Sequence, residues 1–236
     1  MILKRLAESF KNQNWFVVTV EILIVVIGIF IGLQVDDWNQ SRKDDTQSQL
    51  FLEQLNLDIE SDLLSIKDAI ESHEMFIKHG KIALRFLDGE NVFDKHQAEV
   101  EIAFERMHQV PKPQFLHGNL KSLMLGDAWA IITDQSILVK LMALTGKLGN
   151  RIDIYRSIED NIEEVTALNR RVIGFSIPDD TDVSIGYDID ELKKLSDFKI
   201  AIQNAVVFHW YGKRTLNLIV SMLEQYKSEQ PTKPYK

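Results

Sequence analysis

Residues 15–33 read WFVVTVEILIVVIGIFIGL, and this stretch decides what kind of chain it opens. About 19 residues rising ~1.5 Å each match a bilayer core roughly 30 Å thick. Glu21 is the single ionisable side chain in the run. On an insertion scale each Ile, Leu, Val or Phe contributes roughly −0.3 to −0.6 kcal/mol, so about fourteen of them outweigh one acidic penalty of about +3 kcal/mol. A cleavable signal would be shorter and end in small residues, whereas this run passes into Gln34, Val35, Asp36 and Asp37. The stretch therefore predicts an uncleaved transmembrane helix over residues 15–35, with Trp15 and Trp38 as interface anchors.

Working outward, Lys4, Arg5 and Lys11 precede the span while Arg42 and Lys43 follow it. The positive-inside rule then places the N-terminus in the cytoplasm and the C-terminal domain in the periplasm, with a single pass through the inner membrane. Ile2, Leu3, Leu6 and Phe10 oppose Lys4, Glu8 and Lys11 at helical spacing, which predicts an interfacial lead-in over residues 1–14. Inside the span, Gly28 and Gly32 form GxxxG, and steps of four, three and four place Glu21, Val25, Gly28 and Gly32 on one helix face. That face predicts self-association, or contact with another membrane protein, in addition to the lipid bilayer itself. Glu21 there either packs as hydrogen-bonding glue or takes part in ion transfer.

The composition bounds the rest. With 35 acidic against 27 basic residues among 236, the net charge of −8 provides no basic stripe for phosphates, so nucleic acid is not an expected partner. The absence of cysteine removes disulfides, thiolate nucleophiles and thiolate metal sites together. Residues 36–228 are enough for a single helical soluble domain.

Within that domain Leu52, Leu55, Ile59, Leu63, Ile66, Ile70, Ile77, Leu84 and Leu87 keep three- and four-residue spacing, which predicts one long helix over 46–87 closed by Asp88 and Gly89. The anchor can run directly into it. A second helix over 94–108 is stopped by Pro111 and Pro113. A short one over 120–129 breaks near Gly126, and Thr133 and Asp134 offer an N-cap to a further long run whose stripe is Leu138, Leu141, Leu148, Ile152, Tyr155, Ile162, Val165, Leu168 and Val172. An acidic loop over 179–190 leads to a last helix over 196–227 with Phe198, Ile202, Ala205, Phe208, Leu216, Ile219 and Leu223 inward. Strand-type alternation is nearly absent, and residues 229–236 carry two prolines and no core residue, as a disordered tail would. The fold class is thus mainly α: one N-terminal transmembrane helix followed by an antiparallel bundle of long helices.

The segment VEILIVVIGIFIGLQVDDWNQSRKD resembles the opening of an uncharacterised bacterial single-span membrane family, domain of unknown function 6090. The residues that carry the resemblance are Glu21, Gly28, Gly32, Leu33, Gln34, Trp38, Asn39 and Arg42. The later stretch LKSLMLGDAWAIITDQSILVKL is similar to that family's second recurring segment through Lys121, Ser122, Asp134 and Leu138, although Trp129 and Ala130 depart from it. The resemblance implies an anchored helical protein and brings no activity with it.

Chemical constellations are sparse. Asp180, Asp182, Ser184 and Glu191 fit a calcium-loop template, but Ile185 stands where the turn demands glycine, so a solvated acidic loop is the simpler reading. Glu105 and His108 form a lone Glu-x-x-His, whereas a bundle di-metal site needs two copies. His73, His79, His96, His117 and His209 are too dispersed to share one helical face, so solvated or half-buried roles are expected for them. His209, Trp210, Tyr211, Lys213 and Arg214 suit a membrane interface or a protein partner, or more simply an amphipathic helix with its aromatics in the core. No catalytic residue, metal or cofactor is expected. The sequence therefore predicts a non-catalytic membrane-anchored module, a scaffold or sensor-like envelope domain, with a small subunit of an ion-conducting or force-transmitting complex using Glu21 as the alternative.

Overall fold

In the computed structural model, backbone is described for residues 15–115, 118–126, 128–172, 174–176, 184–186 and 189–229. Side chains are described for 16–115, 118–126, 128–162 and 191–229. The lead-in over 1–14, the tail over 230–236, His117, Asp180 and Asp182 lie outside these residues. So do the side chains of Trp15, Val165, Leu168 and Val172.

Helix α1 spans Trp15–Leu87, so the apolar run and the predicted long helix form one element of 73 residues. The segment between them, QVDDWNQSRKDD, contains neither Pro nor Gly to break it. Gln40 donates to Asp44 at 2.8 Å, and the Thr46 hydroxyl donates to the Arg42 carbonyl. The helix stops at Gly89, whose φ of +87° only glycine adopts without strain. Gly89 N–H donates to the Phe86 carbonyl and Glu90 N–H to the Arg85 carbonyl, the paired closure of a Schellman motif. Two compact units divide the chain, one ending at Leu50 and the other starting at Phe51.

In the unit that ends at Leu50, α1 is the sole described element, and Phe16 to Val35 hold their apolar side chains in the open. Among the described residues this is the one helix long and apolar enough to cross a membrane.

The second unit contains the remainder of α1 with α2 (Phe93–Arg106), α3 (Gly118–Leu125), a 3-10 turn (Trp129–Ile131), α4 (Gln135–Val172), strands β1 (Gly174–Ser176) and β2 (Ser184–Gly186), the single turn α5 (Ile189–Leu192) and α6 (Ser196–Ser228). Asp134 caps α4 as its sequence suggests, accepting from Ser136 N–H at 2.7 Å and Ile137 N–H at 3.2 Å. Gly126, at φ +91°, ends α3. The expected loop over 179–190 instead contains β2, paired antiparallel with β1 with Phe175 in register with Ile185 along the backbone. Three-residue strands are too short to display alternation, which is why the sequence hides them.

Helices α1, α4 and α6 form the bundle. A ladder of ion pairs, Glu60 with Lys227, Lys67 with Glu224, Glu74 with Lys213 and Asp88 with Lys199, fixes α6 antiparallel to α1. All are solvent-exposed, so they set register more than they stabilise. The N-terminal part of α4 packs on the C-terminal part of α6, with Leu144 and Lys147 beside Met222 and Tyr226. Between α2 and α3 the chain returns along α1: Gln114 N–H donates to Ser65 Oγ and Asn119 N–H to Asp58 Oδ2, both at 2.8 Å. Asp58 thus places its carboxylate at the start of α3, where anions are favoured. Gly118 makes room for it, since a Cβ there would lie 2.6 Å from Asp58 Oδ2.

Two apolar clusters fill the interior. One gathers Leu52 to Ala69 of α1 with α3, α4 and the C-terminal half of α6; the other gathers Phe76 to Phe86 with α2 and the N-terminal half of α6. The stripe of α1 departs from expectation in its second half. Ala69, His73, Phe76, Ala83 and Phe86 are buried, whereas Ile70, Ile77, Leu84 and Leu87 are half-exposed. The buried positions keep seven-residue steps, Ile59, Ile66 and His73 beside Ala69, Phe76 and Ala83, on a face rotated from the one that Leu63, Ile70, Ile77 and Leu84 mark.

Candidate functional site

The residues predicted on the anchor face all lie on α1. Glu21 is exposed, and a Cβ added at Gly28 or Gly32 would meet nothing within 4 Å. No described residue covers Gly28 or Gly32. Trp15 opens the helix, and Trp38 is exposed with the Arg42 guanidinium 5.3 Å from its ring centroid.

Of the cluster on α6, Trp210 and Tyr211 are exposed rather than in the core, edge to face with each other, with Arg214 over Trp210 at 5.4 Å. Lys213 is engaged with Glu74 at 2.6 Å. Glu105 and His108 are both half-buried near the end of α2 and do not assemble a ligand set. Among the described residues no three His, Asp or Glu side chains are placed to hold a metal ion.

What sequence reasoning missed lies in the seam between the two apolar clusters. His73 and His209, expected to be solvated or half-buried, are fully buried. Each occupies a stripe position of its helix: His73 follows Ile66 and Ala69 and precedes Phe76, and His209 falls between Ala205 and Gly212. That spacing, on two helices that run antiparallel, is the signal that finds them; scanning for shared faces within a single helix does not.

Their rings meet Nδ1 to Nδ1 at 2.8 Å. His73 Nε2 is 2.8 Å from the Tyr155 hydroxyl, which donates to the Pro111 carbonyl at 2.6 Å. At the other end His209 Nε2 lies 2.9 Å from the Met107 carbonyl. His209 also stacks on Phe76, and Phe115 and His73 both meet Tyr155 edge-on. Close approach requires Gly212, where a Cβ would lie 2.6 Å from His73 Cε1 and 2.8 Å from Nε2. A polar chain therefore crosses the unit from Met107 to Pro111, both in the connector that follows α2 (residues 107–115), tying together α1, α4 and α6.

Burial governs the protonation of these groups. It pushes His73 down to about 3, with the neighbouring His209 adding to the effect. It pushes His209 down to about 4, against the opposing pull of the Met107 carbonyl. The Tyr155 hydroxyl is pushed up by burial and, secondarily, by the Glu159 carboxylate. The three groups are enclosed, so the arrangement can hold and pass a proton among its own atoms but presents no open face to a substrate.

In comparison with known proteins, the model of a family of unknown function, DUF6090, matches residues 21–81, and over those residues the chain is similar to that family. The match covers α1 from Glu21 to Lys81, which includes most of the apolar segment and His73, while the second resembling stretch, residues 120–141, falls outside it. No curated protein and no solved structure matches the chain.

Proposed function

We propose that this chain, similar over residues 21–81 to a family without an assigned role, is a membrane-anchored helical module that works without catalysis as a scaffold or sensor-like envelope domain. The observation that carries the reading is the uncovered apolar belt of α1. From Phe16 to Val35 its apolar side chains, the half-buried Val18 apart, are exposed, with Phe16 at 75% and Phe30 at 63%. Apolar surface in water costs about 25 cal/mol per Å², so a belt of this length calls for lipid around it. Its length suits a bilayer, and Trp38 with Arg42 sits where an interface anchor belongs.

The bundle is then the working part, carried on the anchor. Fusing alkaline phosphatase after Lys236 in a bacterial host tests the export this reading includes. An active phosphatase is the expected result, and activity only from a cytoplasmic reporter at that position overturns the orientation.

Self-association belongs to the same reading. Gly28 and Gly32 offer an uncovered face for close helix contact, and in the other unit Leu57 and Leu64, seven residues apart, are exposed opposite Leu55, Ile59 and Ile66. Copies anchored in one membrane meet parallel and at equal height, the arrangement in which a seven-residue leucine repeat faces its own equivalent.

A further inference from the structure

The buried chain of contacts has a count that settles its proton stoichiometry. It runs from the Met107 carbonyl through His209, His73 and the Tyr155 hydroxyl to the Pro111 carbonyl, with a gap of 2.6–2.9 Å at each of four places. Carbonyl oxygens close both ends, and a carbonyl can only accept. Every gap therefore needs its own proton. Two neutral imidazoles bring one each and the phenol a third, so the neutral chain is one proton short of its four contacts.

Following the protons shows where the shortage falls. His209 Nε2–H satisfies Met107 and Tyr155 O–H satisfies Pro111, which leaves the single proton of His73 for two gaps. If it stands on Nδ1, the gap to Tyr155 holds two facing lone pairs; if on Nε2, the gap between the two Nδ1 atoms does. A proton added to either ring fills the missing gap, with His73 Nε2–H donating to Tyr155 and one N–H bridging the rings. A second added proton would set two N–H groups against each other across the same 2.8 Å. The capacity is one.

We propose that the His73–His209 bridge is a buried binding site for a single proton, whose loading completes the chain that holds α1, α4, α6 and the connector together, and whose emptying opens one of its contacts. The ligand class is the proton itself, and the site lies wholly within the bundle, so it stands whether or not the anchor crosses a membrane.

From α1 and α6, Glu74 and Lys213 neutralise each other at 2.6 Å. From α4, Glu159 acts on the chain through Tyr155. The connector presents the carbonyls of Met107 and Pro111. Desolvation opposes the charge, and completion of the fourth contact favours it. The balance sets the loading midpoint below that of a free imidazole and above the value burial alone would give.

The test uses the full chain, labelled with 15N-histidine and held in mild detergent, with the ring nitrogens read by long-range proton–nitrogen spectra between pH 8 and 4. Bare, protonated and imidazolium nitrogens have distinct shifts, and the two buried rings are identified by their slow solvent exchange. The expected result is a shared midpoint for both rings at which their two bare nitrogens become one, with the helical circular dichroism unchanged. Two bare nitrogens persisting until the helices melt, or both rings becoming imidazolium while the fold holds, overturns the proposal. Tyr155→Phe supplies an independent arm, because without the hydroxyl two contacts remain for two protons and the neutral pair is already complete. Its midpoint should fall by about one pH unit or more, and an unshifted midpoint contradicts the count.

Discussion

Gly212→Ala should destabilise the bundle, although alanine is the better helix former. At an exposed helix interior the exchange gains about 0.5–1 kcal/mol. Gly146 supplies that baseline, since it is exposed within α4 and a Cβ there would meet nothing within 4 Å. At Gly212 the new Cβ would fall 2.6 Å from His73 Cε1 and 2.8 Å from Nε2. The neighbour is a ring whose two nitrogens lie 2.8 Å from His209 Nδ1 and from the Tyr155 hydroxyl, and it cannot swing away without breaking whichever of the two hydrogen bonds its proton makes. Overpacking of this kind costs about 1–3 kcal/mol, and a lost buried hydrogen bond adds about 1 kcal/mol. After subtracting the helix gain, a net loss of about 1–3 kcal/mol remains, or roughly 2–12 °C in melting temperature for a domain of this size. Thermal melting followed at 222 nm in detergent measures both variants. Gly146→Ala melting above wild type and Gly212→Ala below it is the expected pair. Equal shifts of the same sign would refute the claim that the His73 ring is wedged against α6.

Other predictions follow from the same geometry. Because burial lowers His73 and His209 below the ordinary value of 6.5, the unfolded chain binds more protons than the folded one below that pH. Stability is then fullest above pH 6.5 and falls on acidification toward the folded values. Each ring kept neutral to pH 5 withdraws about 2 kcal/mol, so one loaded proton leaves a loss of about 2 and none leaves about 4, measurable by denaturant titration at pH 7.5 and 5; a stability that rises on acidification would reverse the assignment. Replacing Gly28 and Gly32 with Ile should weaken association in a membrane two-hybrid assay, and an unchanged signal removes that face as a contact. Leu57→Cys, in a chain with no other cysteine, should yield a disulfide-linked dimer under mild oxidation in membranes, and persistent monomer speaks against parallel pairing. Glu21→Gln should preserve assembly that Glu21→Leu disrupts; normal assembly with Gln but abolished cation flux in vesicles would move the role of Glu21 from packing to ion transfer.

Much of the fold is legible in the sequence because its punctuation is chemical. Gly89 and Gly126 end helices through a positive φ and Asp134 begins one through its capping carboxylate, so those boundaries are readable without tertiary knowledge. The stripe is legible where it is aliphatic, from Leu52 to Ile66, and fades where it turns to Ala69, His73 and Phe76. The hidden site fails to announce itself for the same reason. His73, Tyr155 and His209 are far apart in sequence, and each is unremarkable on its own helix. Only the antiparallel register of α1 and α6, fixed by long-range ion pairs, brings the two rings together. The short β1–β2 pair is invisible because its strands carry too few residues for a pattern. The exposure of Trp210 and Tyr211 illustrates the converse, since aromatic residues beside a buried stripe look like core until the position of His209 fixes which face turns inward.

The most direct test of the central claim is extraction of membranes from cells expressing the full chain with alkaline carbonate, which strips peripheral proteins and leaves spanning helices in place. If α1 spans a bilayer, the chain stays with the membrane pellet and is released only by detergent; recovery of the folded chain in the carbonate supernatant would mean that it does not.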